Sequence, residues 1–259
     1  MNVSTENNDR QARIETLDNR SLAEHAYILI RDRILRGQLR LGAALSRRRL
    51  AAELNMSLVP VAEALQRLES DGLIESRPRV GTRVRVPTEK DVREHYEIRE
   101  ALESQSARLF AQRATAKQRE EMRQMAEHLD VLFNRLAAGD TDPEFQFAVH
   151  SFHAQFHMGI AERTGCEALR ALIEKNQVMI LNWLYDVVAH RRHLPQRFHR
   201  DLTEVLVTTD PIAADVAMRE HVRYGLEETV RKMRTEAAVE WRLRRGEHVM
   251  GSVSPSADQ

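Results

Sequence analysis

Histidine is concentrated in one stretch of this 259-residue chain. Seven of the 11 histidines, His150, His153, His157, His190, His193, His199 and His221, fall between residues 150 and 221. His153 and His157 are four apart, so on a helix they share a face and can chelate one metal ion. His199 precedes Asp210 by 11 residues, and His221 follows it by 11. If Thr208-Thr209-Asp210-Pro211 joins two antiparallel helices, these histidines stand level, about 16 Å from the turn. The four together make a four-point metal cage. The competing reading is a set of packed, hydrogen-bonded core histidines.

A second cluster is basic. Arg47, Arg48 and Arg49 are consecutive, and Arg79, Arg83 and Arg85 surround Gly81. The chain carries 39 Lys+Arg and 39 Asp+Glu, a formal charge of zero. Residues 1–87 hold 15 arginines, no lysine and 11 acidic residues, a net +4, which leaves −4 on residues 88–259. A positive first third suits a polyanion; ordinary surface variation is the alternative reading of the charge alone.

The elements that must position these groups read as helices almost throughout. Residues 1–20 are polar and aperiodic, a disordered arm. From Ser21 the apolar positions Leu22, Ala26, Leu29, Ile30 and Ile34 recur at helical steps, ending at Gly37. After a connection over 39–45, Ser46 caps a short helix that stops at Asn55. Ser57 then caps a helix with Pro60 in its first turn and Val61, Ala64, Leu65 and Leu68 facing inward. Leu73-Ile74-Glu75 and Thr82 to Val86 read as two strands around a basic tip. Three helices and a β-hairpin over 21–87 form a winged helix-turn-helix. Beyond Pro87-Thr88, helical segments cover 89–114, 117–138, 143–164, 167–190, 194–207 and 211–240. Asp142-Pro143 and Asp210-Pro211 each place a cap before a helix-opening proline. The fold class is mainly α: the winged domain, then an antiparallel all-helical bundle of six to seven helices over 88–240 and a polar tail over 241–259.

Composition narrows the function classes. No apolar run is long enough to span a membrane, and the polar N-terminus is no secretory signal. The single cysteine, Cys166, excludes a disulfide scaffold and fits a cytoplasmic location. Cys166 itself reads as a buried thiol.

In the helix-turn-helix, subtracting the inward positions leaves Leu58, Val59, Ala62, Glu63, Gln66 and Arg67 to face the major groove of double-stranded DNA. Ser57 and its helix N-terminus suit a phosphate. Arg47, Arg48 and Arg49 reach phosphates or base edges, and Arg79, Gly81, Arg83 and Arg85 form a wing that follows the backbone or enters the minor groove. The stretch from Ile30 to Val86 resembles the GntR superfamily of bacterial transcription regulators. The family's usual Arg-Thr-Pro-Val-Arg is here Leu58-Val59-Pro60-Val61-Ala62. Two arginines expected to face DNA are therefore apolar. Leu58 and Ala62 suit thymine methyls and Gln66 suits adenine, so the operator is expected to lack the family's guanine contact; the alternatives are that affinity leans on Arg47, Arg48, Arg49 and the wing, or that DNA binding is weakened.

Residues 88–240 resemble the FCD type of GntR effector domain, through "YEIREALESQSARLFAQRAT", "FHAQFHMGIAERTG" and "RFHRDLTEVLVTTDPIAADVAMREHV". The resemblance implies a divalent metal held by an Asp-x-x-x-His pair and two further histidines. His157, His199 and His221 match the three histidines, and His153 stands where the Asp is expected. Four neutral imidazoles favour zinc or nickel over magnesium or calcium. Arg99 matches an arginine pointing into the effector cavity, where a guanidinium grips a carboxylate. Its alternative is an i, i+4 salt bridge to Glu103. Asn182, Trp183 and Tyr185 are candidates to line the same cavity, with a core role as the alternative.

The resemblance implies a homodimeric repressor that reads a pseudo-palindromic operator under control of a small carboxylic acid, and no enzymatic activity. A metalloenzyme using the histidines catalytically, or a constitutive DNA binder with a structural metal, are the alternatives.

Overall fold

The computed structural model describes residues 22–77, 81–139, 142–176 and 194–234. The expected N-terminal arm and polar tail lie outside the described residues. So do Arg79 at the wing tip, and Asn182, Trp183 and Tyr185.

The first helix, α1, covers 22–35, and the chain leaves it through Gly37 at a φ of 68°. Strand β1 (Ala44–Leu45) follows, then α2 (Arg47–Leu54) and α3 (Leu58–Ser70). Ser46 caps α2 by accepting from the Arg49 amide, and Asn55 closes it in the left-handed region (φ 53°). Asparagine tolerates that conformation better than most residues, which makes the turn into α3 tight. Strands β2 (Ile74–Arg77) and β3 (Gly81–Val84) form the wing, pairing antiparallel with Glu75 opposite Arg83 and Ser76 opposite Thr82. Strand β1 pairs with the other edge of β3, giving the order β1-β3-β2. The sequence reads 39–45 only as a connection, because two residues carry no period. β1 exists because β3 offers an unpaired edge and Leu45 is buried.

Ile30, Val61, Leu68, Leu73, Ile74 and Val84 fill the centre of this unit. Leu68 is fully buried at 0% exposure. Leu68→Ala should therefore cost about 2–5 kcal/mol in chemical denaturation, because the site cannot collapse around the missing atoms.

Helices α4 (Glu89–Arg113), α5 (Ala116–Ala137), α6 (Pro143–Glu162), α7 (over 167–176), α8 (Phe198–Leu206) and α9 (Pro211–Arg234) form the second unit. Thr88 with Asp91, and Thr115 with Gln118, make capping boxes at the starts of α4 and α5. The Asp142 and Asp210 carboxylates cap α6 and α9, each just before the proline. α4 packs mainly along α9. α5 packs on α6 and α8, and α8 packs on α9. No helix among the described residues is long and apolar enough to cross a membrane.

The two units touch through α6. Arg36, just past α1, pairs with Glu144 at 3.0 Å, and its guanidinium lies 4.5 Å over the Phe147 ring. One helix thus carries a contact to the winged unit near its start and two histidines further along.

Candidate metal centre and nucleic-acid interface

α6 supplies His153 and His157 one turn apart; His199 sits in the first turn of α8, and His221 on α9. None is more than 6% exposed. Nitrogen atoms of His153, His157 and His221 all lie within 4.8 Å of one another. The two α6 histidines face each other at 3.0 Å, Nε2 to Nε2. The His199 ring stands beside these three without belonging to the group that converges within 4.8 Å, its centroid 5.0 Å from that of His153 and 5.4 Å from that of His221. The α8–α9 hairpin thus brings His199 and His221 together. His150 is buried and packs edge-on against Phe133, and it is not among the three histidines that converge.

Aromatic rings fix the imidazoles. Phe198 stacks on His221 at 4.2 Å, and Phe133 stacks on His199 at 5.3 Å. Phe156 meets His157 and His199 edge-on. Such walls exclude water and strengthen the electrostatics inside.

Two carboxylates stand beside the imidazoles. His199 Nδ1 lies 2.8 Å from Asp130 Oδ1 on α5. Burial pushes the Asp130 carboxyl up, but hydrogen bonds from the His199 ring and from the His199 and Arg200 amides outweigh it and hold it below its usual range. An ionised carboxylate only accepts, so His199 Nδ1 donates to it, and Nε2 is the ring nitrogen that Asp130 does not engage. His157 Nδ1 stands 2.8 Å from Glu103 Oε2 on α4, an ion-pair distance at a bent angle rather than an aligned hydrogen bond.

Arg99 lies between these groups, only 4% exposed. Its Nε donates to Glu103 Oε1 at 2.9 Å, and its Nη2 is 3.0 Å from His157 Nε2. The i, i+4 bridge offered by the sequence is therefore present, but buried beside the histidines rather than on the surface. Burial pushes the Glu103 carboxyl up; the charges of Arg99 and His157 outweigh it and hold it at about 2.

Sequence reasoning did not identify Asp130, and it found Glu103 only as a partner for Arg99. The available signal was an acidic residue on an apolar helix face: Asp130 lies among the buried Ala126, Leu129 and Phe133.

At the DNA-facing end, Pro60, Val61, Ala64, Leu65 and Leu68 of α3 are buried, and Leu58, Val59, Glu63, Gln66 and Arg67 are exposed. Ala62 is half-buried. Leu58 and Val59 are 50% and 56% exposed, unusual for large apolar side chains. Ser57 takes the N-cap position without a side-chain capping bond. Pro60, the third helical residue, has no amide hydrogen to give it. Arg47 and Arg48 are exposed on α2. Arg49 reaches back to Glu53 at 2.7 Å. Arg67 is turned toward α1, pairing with Glu24 and lying 3.9 Å over the Tyr27 ring. Arg83 is engaged by Glu75 across the wing, and Arg85 by Asp91. Gly81 starts β3 at a φ of 95°, which glycine adopts without strain.

Residues 22–84 match the model of the bacterial regulatory proteins of the gntR family, and residues 94–224 match the FCD domain. The chain belongs to the GntR family. This GntR chain is 31% identical over 189 residues to the probable D-xylose utilization operon transcriptional repressor of Paenarthrobacter nicotinovorans, covering 73% of this chain and 80% of that one. Among solved structures, a candidate transcriptional regulator GntR from Rhodococcus sp. RHA1 superposes with a TM-score of 0.66. It is 23% identical, covering 81% of this chain and 98% of that one. E. coli McbR/YncC gives 0.62 at 22% identity, covering 82% and 98%. These structures share the fold. The protein is a DNA-binding transcription regulator of the GntR family with an FCD domain.

Proposed function

We propose that this regulator is a cytoplasmic homodimer whose hold on a pseudo-palindromic operator is controlled by a small carboxylic acid bound beside a His-coordinated divalent metal. The observation that carries this reading is the buried convergence of His153, His157 and His221, with the His199 ring beside them and Arg99 at 3.0 Å from His157 Nε2. The donor set fits zinc or nickel. It offers imidazole nitrogens, and a carboxylate fixes the tautomer of His199. A bound metal supplies positive charge and a coordination position for a carboxylate oxygen.

The chain's own groups do the rest. His153, His157, His199 and His221 hold the ion. Glu103 holds Arg99 through Nε, which places the guanidinium beside His157, where it is to grip the effector carboxylate. Because α6 also carries Glu144 and Phe147 against Arg36, a shift of α6 at the histidines reaches the winged unit through packed side chains. Repression follows the name carried by the Paenarthrobacter relative. On the operator, Arg47, Arg48 and the Ser57 hydroxyl take phosphates, and Leu58, Ala62 and Gln66 meet base edges.

A thermal-shift screen of zinc-loaded protein against small carboxylic acids tests this. An acid at about a hundred times its Kd should raise Tm by about 5 °C or more, and only weakly in Arg99→Ala. If no acid shifts the zinc-loaded protein, or Arg99→Ala responds fully, the effector reading fails.

A further inference from the structure

Helix α8 has only nine residues, and Arg197 at its N-cap position makes no side-chain capping bond. The cap comes from another helix. Asp130 of α5 is 2% exposed. Its Oδ1 accepts from the His199 amide at 3.0 Å and from the His199 ring Nδ1 at 2.8 Å. Its Oδ2 accepts from the Arg200 amide at 3.1 Å and from Arg200 Nε at 3.3 Å. One carboxylate therefore meets two backbone donors of the first turn of α8, together with the side chains of the residues that own them.

This placement has two consequences. An anion facing the first amides stands where the dipole of the helix is positive, and it adds to the charge of Asp201 in the same turn, which Arg197 pairs at 3.0 Å. The same anion also fixes the His199 ring. The ring is pinned through Nδ1 on one side and sandwiched by Phe133, one turn further along α5, at 5.3 Å and 20°. With Nδ1 committed to Asp130, the atom left to meet the other histidines is Nε2.

We infer that Asp130 is a positioning residue that caps α8 from α5 and, through the same carboxylate, aims His199 Nε2 at the metal centre. This rests on the proposed metal site. It makes the position of α8 and the competence of the site a single property: a displacement of α5 against α8 pulls His199 off the cluster. A purely structural cap would support the helix without influencing the ion.

The test is a zinc titration of the full-length protein against a competing chromophoric chelator, for wild type, Asp130→Asn, His199→Ala and the double variant. Circular dichroism and unfolding in chelator report on the fold. Asp130→Asn should weaken zinc binding about 10- to 100-fold, the usual effect of losing a carboxylate behind a ligating histidine. In the His199→Ala background it should cause no further loss. Zinc binding by Asp130→Asn equal to wild type overturns the inference while leaving the site intact. So does an equal loss in the His199→Ala background, which would make Asp130 merely structural. Absence of zinc binding by the wild type overturns the metal site and the inference together. Nitrogen NMR of the wild-type imidazoles needs no variant. The His199 proton should reside on Nδ1 with and without zinc, and zinc should shift Nε2; a proton on Nε2, or zinc on Nδ1, contradicts the assignment.

Discussion

Replacing His153 and His157 together by alanine should abolish tight zinc binding, with a loss of at least about 100-fold, and remove any effect of the carboxylic acid on operator binding. Both side chains lie in the buried cluster, and two of the three imidazoles that converge within 4.8 Å come from this one turn of α6. The double variant also breaks the contact between Arg99 Nη2 and His157 Nε2 but leaves the Arg99–Glu103 bridge. His153→Ala alone keeps the whole Glu103–Arg99–His157 chain, so it separates ligand loss from disturbance of the arginine. Isothermal titration with zinc, followed by operator binding with and without acid, reads both effects. A double variant that still answers to the acid would mean that sensing does not pass through this cluster.

The second large effect is at the recognition helix. Leu58→Arg combined with Ala62→Arg should strengthen binding to sites with guanine at the facing step. Each bidentate arginine–guanine contact contributes about 1–3 kcal/mol, or about 5- to 150-fold in discrimination. The wild type should return A/T at that step in a binding-site selection. Leu58 and Val59 present half-exposed apolar surface there, suited to thymine methyls and unable to hydrogen-bond guanine. Arg67 does not compensate, because Glu24 and Tyr27 hold it toward α1. A fixed guanine selected by the wild type would refute this account of the readout.

Two helices of the second unit carry their own punctuation, because Asp142-Pro143 and Asp210-Pro211 mark starts that local chemistry dictates, whereas the capping boxes at Thr88 and Thr115 emerge only in the structure. The four histidines were legible for the same reason, because an i, i+4 pair and a symmetric hairpin fix relative positions within one or two adjacent helices. Asp130 was not, since its partners lie 69 and 70 residues away and only packing of α5 on α8 brings them together. Strand β1 escaped because two residues show no alternation. The engagement of Arg67 and Arg83 is likewise tertiary: the sequence shows that both can face outward, but not that Glu24 and Glu75 stand beside them.

The central claim is that the histidine cluster couples a metal and a carboxylic acid to operator binding. The most direct measurement is fluorescence anisotropy on a selected operator, with the protein first stripped of metal and then reloaded with zinc, each with and without the acid found in the thermal-shift screen. The account predicts that the acid changes operator affinity only in the zinc-loaded wild type, with no response in His153→Ala/His157→Ala. An equal response in the stripped protein, or in that double variant, would contradict it.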